Sequence, residues 1–404
     1  MKIAIVGGGA GGFFCAINIK QHHRQAQICI FEKTSKVLSK VAISGGGRCN
    51  VTHACFEPEQ LALSYPRGGK FLKKLFYEFN PKHTIKWFED RKVKLKTEED
   101  GRIFPVSDSS ESIINCFVEQ AQKQHVSVHT QNEVYKIEPQ GKGFHLFIRN
   151  QNTPVFFDKV VLAIGGQNKL EKYAWLNNLN LQIVLPVPSL FSFNIPQNPI
   201  KELMGLSSWA RVQIKEYKKL QNTGNLLFTH WGISGPAVLK LSAWAARYLA
   251  EHNYEFDLQV SWLEESEEAL REKIIDFRKQ KGAALPQNYH FSNLPKRLWC
   301  FLLEKAEIAP QKKWADLNKH DINRLCNTLL RDTYKVSGKT TYKEEFVTCG
   351  GIALDEINPQ TMSSKKYPNL YFTGEVLDID GITGGFNFQA AWTTAWIAAK
   401  LLSS

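Results

Sequence analysis

The sequence predicts an α/β chain: a parallel-sheet domain built from both ends of the chain and interrupted by an inserted antiparallel β-barrel and a helical segment. Three observations predict it. An apolar run at residues 2–6 breaks directly into Gly7-Gly8-Gly9-Ala10-Gly11-Gly12 and a helical stretch. A second buried-strand pattern, 369–373, ends in Gly374 and is followed by glycines and an Ala/Trp-rich helix at 388–402. Between them, from about Pro186, the chain changes to β-forming stretches and then to helices.

In order, residues 2–6 suit a buried parallel strand, about 10–21 a helix, and 27–31 a second strand ending at Glu32. Helical segments follow between 70 and 92 and over 109–124, then short strands at 126–129, 134–137, 144–148, 155–157 and 160–164. The insertion begins with β-rich stretches at 190–195, 211–217, 226–229 and 254–262. It continues almost wholly helical from 264 to 332, with Gly282 suited to cap a helix over 264–281. The expected division is 1–185 with 346–404 for the parallel-sheet domain, 186–263 with 333–345 for the barrel, and 264–332 for the helical subdomain. At 404 residues, two or three domains are expected.

Composition narrows the function classes. With 43% hydrophobic and 22% charged residues the chain reads as an ordinary globular protein. No stretch approaches the roughly 18 unbroken apolar residues of a membrane span. The first strand runs straight into glycines, unlike a secretory signal, so a cytoplasmic location is expected. The eight cysteines, at 15, 29, 49, 55, 116, 300, 326 and 349, show no C-x-x-C pair and no zinc spacing, so free thiols and no metal are expected. The net charge of +12 is scattered in short clusters. With no visible basic patch interleaved with aromatics, it reads as a solvated basic surface rather than a nucleic-acid site.

The chemistry sits in glycine loops. Gly7, Gly9 and Gly12 form G-x-G-x-x-G between a strand and a helix, with Ala10 and Gly11 opening that helix. Gly7 permits the tight turn, Gly9 the approach of a pyrophosphate and Gly12 close helix–strand packing, while the helix start offers N–H groups to phosphates. Glu32, twenty residues after Gly12, can accept from ribose hydroxyls and disfavours a 2′-phosphate. This is the fingerprint of a Rossmann-like domain. The loop Ser44-Gly45-Gly46-Gly47-Arg48-Cys49-Asn50 suits a large flat ligand, with Arg48 available to an anion or an electron-rich ring. Near the C-terminus come Gly374-Glu375 and then Asp380-Gly381-Ile382-Thr383-Gly384-Gly385-Phe386-Asn387. Gly384 and Gly385 at a helix start can bring N–H groups to the pyrimidine edge of a flavin, where negative charge gathers on reduction. The combination selects non-covalent FAD over NAD.

These motifs, with Gly101-Arg102-Ile103-Phe104-Pro105 and the segments 226–230 and 232–236, resemble the BaiN-like (YhiN-type) flavoproteins, which include aminoacetone oxidases. The resemblance runs nearly end to end. It implies a glutathione-reductase-like three-layer FAD domain with an inserted barrel and helical domain, and a redox activity on a small-molecule substrate. It also implies that FAD is held by Glu32, by Ser44–Asn50 and by Gly374–Asn387, with the Val134 backbone at the adenine; Lys33, Lys40 and Gly165 are further cofactor candidates. After Ala163-Ile164-Gly165-Gly166 the chain departs from the family pattern, continuing Gln167-Asn168-Lys169-Leu170 with no glycine until Gly205.

Other classes are weighed against this. Cys49 and Cys55 superficially resemble the pair of a flavin disulfide reductase, but a six-residue step puts them on widely separated faces of a helix. There is no second G-x-G-x-x-G for a nicotinamide domain. NAD(P)H, if it is the reductant, must therefore dock transiently; otherwise the substrate itself reduces the flavin. An RNA-modifying flavoprotein would account for the charge. A flavin-binding sensor without enzymatic activity is a further class. Gly232-Ile233-Ser234-Gly235-Pro236 is not a hydrolase elbow. His230 is a weak catalytic candidate, weighed against a structural turn histidine.

Overall fold

The structure, a computed structural model, describes residues 1–196, 198–340 and 347–401. The chain forms two compact units, 1–189 with 342–404, and 190–341. Residues 341–345 of the expected barrel segment and those beyond 401 lie outside the described residues.

The first unit is built on five parallel strands: β1 (Lys2–Val6), β2 (Gln27–Phe31), β3 (Ser127–His129), β4 (Lys159–Leu162) and β5 (Leu370–Phe372). Their order is β5-β4-β1-β2-β3. A β1 almost wholly apolar and buried from Ile3 onward fits a strand covered on both faces. Alternation along it gives the layers. Ile5 faces α1 (Ala10–His22), since a Cβ on Gly12 would touch its side chain at 3.4 Å. Val6 is paired in register with Phe31, whose ring packs edge-on against Phe157 at 5.7 Å. Phe157 belongs to an antiparallel meander, Val134–Gln140, Gly143–Ile148 and Val155–Phe157, which forms the third layer. Helix α2 (Phe386–Leu401) lies along α1, and Phe14, Trp87, Phe117 and Trp392 fill the space with ring contacts of 4.6–6.5 Å. This is the expected three-layer arrangement.

The strand Ile183–Ser189 pairs antiparallel with Val347–Ile352. It carries the first unit four residues past the expected boundary at 185.

In the second unit the strand order is Asp332–Ser337, Glu255–Ser261, Ser207–Ile214, Gln221–Phe228, Gly232–Ser234, Ser192–Asn194, Lys339–Thr340. The first and last of these are one stretch of chain bent at Gly338, which has φ +90°. Its two halves pair with opposite edges, so the antiparallel sheet closes on itself. Helices Glu267–Lys281, Lys296–Lys305 and Lys319–Leu330 share one apolar core with the strands, around Trp262, Trp299 and Trp314. The helical segment therefore has no separate core of its own. Gly282 does end its helix, but with φ −53° and not in the left-handed form. Glycine serves there because a Cβ would meet Arg278 O at 2.8 Å.

Candidate cofactor site

The loops at Gly7, Gly165 and Gly374 leave the carboxyl ends of the parallel strands, where open α/β sheets place their ligands, and Ser44–Asn50 follows a short helix, Ser39–Ile43. After β1, Gly7 has φ +114° and a Cβ there would stand 2.3 Å from Ala163 O, just beyond β4. Gly12 is as confined, its Cβ falling 2.1 Å from Gly7 O. Gly9 differs, because a Cβ there would meet nothing within 4 Å. The first bond of α1 runs from Phe13 N to Gly9 O at 3.1 Å. The Ala10, Gly11 and Gly12 N–H groups thus have no acceptor among the described residues and face the end of the helix, as a pyrophosphate requires.

Glu32 follows β2. Its carboxylate accepts from Gly8 N at 2.9 Å and from Thr34 N and Oγ1, both at 2.8 Å. A carboxylate has about four lone-pair sites, so ribose hydroxyls still find acceptors there. Gln131 N donates to Thr34 O at 3.0 Å and Asn132 N to Glu32 O at 2.9 Å, which draws the chain leading to buried Val134 alongside the acid. Lys33 is exposed at the end of β2.

In the second loop Gly45, Gly46 and Gly47 have φ of +58°, +69° and +84°, and a Cβ on Gly46 or Gly47 would meet nothing. Ser44 Oγ donates to Val41 O at 3.0 Å. Arg48, expected to be available to a ligand, is engaged within the protein. It pairs with Glu98 at 2.6 Å and Asp108 at 3.5 Å, and stacks on Phe104 at 3.9 Å. Cys49 is fully buried and burial pushes its thiol up to about 12, so it is no thiolate at neutral pH. This removes the basis for a Cys49–Cys55 redox pair, and no disulfide joins any of the eight cysteines.

The third loop locks onto the second and its flanks. Lys40 pairs with Glu375 at 2.6 Å, and Glu375 also accepts from Thr348 N at 2.8 Å. Gly374, with φ +72°, donates its N–H to Thr394 Oγ1 at 3.0 Å. With its amide turned so that the oxygen faces Gly385, the orientation that satisfies its neighbours, Asn50 accepts from Gly385 N at 3.0 Å, and this N–H, expected to face the flavin, is then committed to the protein. The Phe386, Asn387 and Phe388 N–H groups at the start of α2 have no acceptor among the described residues; the first helical bond is Gln389 N to Gly385 O at 3.0 Å. The Asn387 side chain spans Gly381, accepting from its N at 2.8 Å and donating to its O at 3.0 Å. Phe386 stacks on His53 at 4.6 Å, beside Gly384. Asp380 is fully buried, ion-paired to Arg67 and bonded by Ser189 Oγ at 2.7 Å. Burial pushes its carboxyl up, opposed by the Arg67 guanidinium. Arg48, Asp380, Asn387 and the Gly385 N–H thus shape the loops rather than face open space. Gly165 has φ +70° and open space around its Cβ direction.

Sequence reasoning missed several residues that hold this arrangement. Gly166 admits no Cβ, which would fall 2.4 Å from Thr348 Oγ1 and 2.6 Å from Glu375 Oε1. Gln389 accepts from Thr52 Oγ1 at 2.6 Å and Thr84 Oγ1 at 2.9 Å, and Trp392 Nε1 donates to Val51 O at 2.9 Å. Their partners lie some 300 residues away, beyond any local signal. His230 is exposed on a hairpin turn of the second unit, with Trp231 edge-on at 4.2 Å.

The residues present fit FAD: a helix start with unpaired N–H groups, a ribose acid, and glycines at 9, 46, 47 and 165 whose missing side chains leave room. Fold and site together define a Rossmann-type, FAD-binding flavoenzyme. Residues 1–401 match the family described as HI0933-like protein Rossmann domain. The chain belongs to that family and is an FAD-dependent oxidoreductase. It is 30% identical over 413 residues to the ribosomal RNA dihydrouridine synthase of Escherichia coli K12, covering 98% of this chain and 96% of the relative. It is 28% identical over 411 residues to the 3-dehydro-bile acid delta(4,6)-reductase of Clostridium scindens, covering 99% and 98%. In fold it resembles the 3-ketosteroid delta1-dehydrogenase from Sterolibacterium denitrificans, with a TM-score of 0.53, 10% identity and 99% of each chain covered. No described helix is long and apolar enough to cross a membrane.

Proposed function

We propose that this chain is a reductase that saturates a ring carbon–carbon double bond conjugated to a carbonyl, in a small-molecule substrate, with NAD(P)H docking transiently as the reductant. One observation carries the reading: glycine loops from both ends of the chain meet around a helix start and a ribose acid, in a chain similar along its whole length to proteins named a delta(4,6)-reductase and a dihydrouridine synthase. FAD, when bound, supplies two-electron hydride chemistry. The Ala10–Gly12 amides hold the pyrophosphate and Glu32 the ribose, and the start of α2 favours negative charge developing nearby. The substrate gains a hydride at the carbon β to the carbonyl and a proton at the α carbon. The lack of a second dinucleotide fingerprint supports transient docking of the reductant, and eight cysteines with no disulfide among them fit a reducing, cytoplasmic setting.

The net charge of +12 favours a second reading, in which the conjugated bond belongs to a pyrimidine within RNA. The test is anaerobic reduction of the FAD-loaded protein by NADH or NADPH, followed by reoxidation with a cyclic enone, a uridine-rich RNA or oxygen. Reoxidation by enone or RNA faster than by oxygen supports a reductase and separates the two substrates. If only oxygen reoxidises the protein, it is an oxidase and the proposal fails.

A further inference from the structure

On the first unit lies an open groove of about 1140 Å³, which runs from Trp396 to Ser107 and Ser112, where Ser110 N donates to Gly47 O of the second glycine loop at 2.8 Å. Phe79, Trp87 and Trp396 line it; Trp396 stacks on Phe79 at 4.9 Å. The charges along it sort into two kinds. Lys86 pairs with Asp90 at 3.0 Å and Lys123 with Glu119 at 3.4 Å, so these four largely cancel. Arg91, Lys92 and Lys94 have no carboxylate within ion-pair distance among the described residues. Arg91 is the most telling of the three. Its guanidinium lies flat over Trp87 at 3.8 Å and donates to Trp87 O at 2.9 Å, while its buried Nε has no partner. Desolvation lowers its pKa against the weaker opposing pull of Asp90, as expected of a part-buried cation with no carboxylate bonded to it.

Trp396 is ten residues along α2 from Phe386, about 15 Å from the helix start at 1.5 Å per residue. A small molecule held at the Trp396 end of this groove is therefore out of reach of hydride chemistry at the start of α2, and gains nothing from binding there. A polyanion long enough to bridge the distance does. The geometry points to this groove as the anchoring site for a single-stranded stretch of RNA, its phosphates on Arg91, Lys92 and Lys94 beside the aromatic floor. The inference rests on the second reading above, RNA as substrate. Three closely spaced cations, one of them stacked on a tryptophan, in a groove lined by aromatic rings are what single-stranded nucleic acid recognises.

The test is fluorescence anisotropy of a short, labelled, unstructured RNA with the full-length, FAD-loaded protein, across a salt series. The triple variant Arg91→Gln/Lys92→Gln/Lys94→Gln is expected to bind about tenfold or more weakly near 0.1 M salt. Its log–log salt slope should be shallower by about 2, three phosphate contacts having gone. Because Arg91 is part-buried, Lys92→Glu/Lys94→Glu is measured in parallel; both lysines are exposed, and flavin absorbance reports that the fold holds. Wild-type protein that does not bind RNA overturns the RNA reading itself. Wild-type protein that binds, with variants equal in affinity and slope, overturns the groove alone. Loss of binding to anionic phosphatidylglycerol vesicles in the triple variant, with RNA binding intact, assigns the groove to a membrane and also overturns it.

Discussion

Two glycine loops open α1 and α2 of the first unit, and they use glycine for different ends. In the N-terminal loop, Gly7 and Gly12 are squeezed against carbonyl oxygens at 2.3 and 2.1 Å from where a Cβ would stand, while Gly9 between them has nothing near it. In the C-terminal loop, Gly385 is the squeezed one, its Cβ falling 2.6 Å from Thr52 O, and its N–H is already bonded to Asn50. The first loop is a cradle with one rung left open for a ligand. The second is a clasp that joins the segment around Asn50 to α2. A glycine-rich sequence thus reports a close approach, but not whether protein or ligand is what approaches.

The largest expected effect falls on the cradle's frame. Gly7→Ala would combine a left-handed backbone with contact against Ala163 O. A loss of about 3 kcal/mol or more is expected, with protein recovered unfolded or free of FAD. Thermal unfolding and flavin content on purification check it. A variant with wild-type melting and full FAD would show that this turn is not formed as described.

Gly385→Val tests the clasp. A β-branched side chain at φ +89° facing Thr52 O must break the Asn50 contact or shift the start of α2. A destabilisation of about 2–4 kcal/mol is expected, with FAD affinity reduced in the protein that still folds. Because the Gly385 N–H is spoken for, any change in flavin potential would come through displacement of α2 rather than through loss of that bond. If Asn50→Ala mimics the valine variant in both melting and FAD binding, the clasp is the shared cause.

Glu32→Ala lies between frame and ligand. It removes an acceptor for Gly8 N and Thr34 as well as for a ribose. Charge-assisted bonds of about 1.5–3 kcal/mol predict a roughly tenfold or larger loss of FAD affinity. The apo protein should lose only about 1 kcal/mol, since loop amides near the surface regain water. Titration with FAD, alongside melting of the apo form, separates the two.

How much of this was legible in the sequence follows the range of each interaction. The strand–G-x-G-x-x-G–helix opening, the position of Glu32 at the end of the second strand and the closing strand and helix are local patterns, and each formed as read. The barrel's β-rich stretches were legible too, but not its closure, because that depends on a bend at Gly338 between two short strands. Arg48 looked available because Glu98 and Asp108 are distant in sequence. The Thr52–Gln389 and Asn50–Gly385 contacts span over 300 residues and left no local trace. The basic and aromatic groove was overlooked for a related reason. Phe79, Trp87 and Arg91 to Lys94 do lie in one stretch, but only the fold opens a cavity over them and brings Trp396 from the last helix.

The smallest effect on the protein alone is the sharpest test of the comparison. Gly9 has φ −90°, a conformation alanine adopts without strain, and a Cβ there would meet no protein atom within 4 Å. Gly9→Ala should therefore leave the melting temperature of the apo protein almost unchanged, within about 0.5 kcal/mol. It should even gain slightly from a less flexible unfolded chain. Yet the methyl group would occupy the space through which, in the proposed mode of binding, a pyrophosphate reaches the Ala10–Gly12 amides. FAD affinity should fall by about tenfold or more, corresponding to about 1.4 kcal/mol per factor of ten. Gly12→Ala is the matched control, since it should damage the apo protein and the holo protein alike. If Gly9→Ala binds FAD as tightly as the wild type, the open rung faces no cofactor. If it destabilises the apo protein as Gly7→Ala does, the rung is not open, and the contrast between cradle and clasp falls.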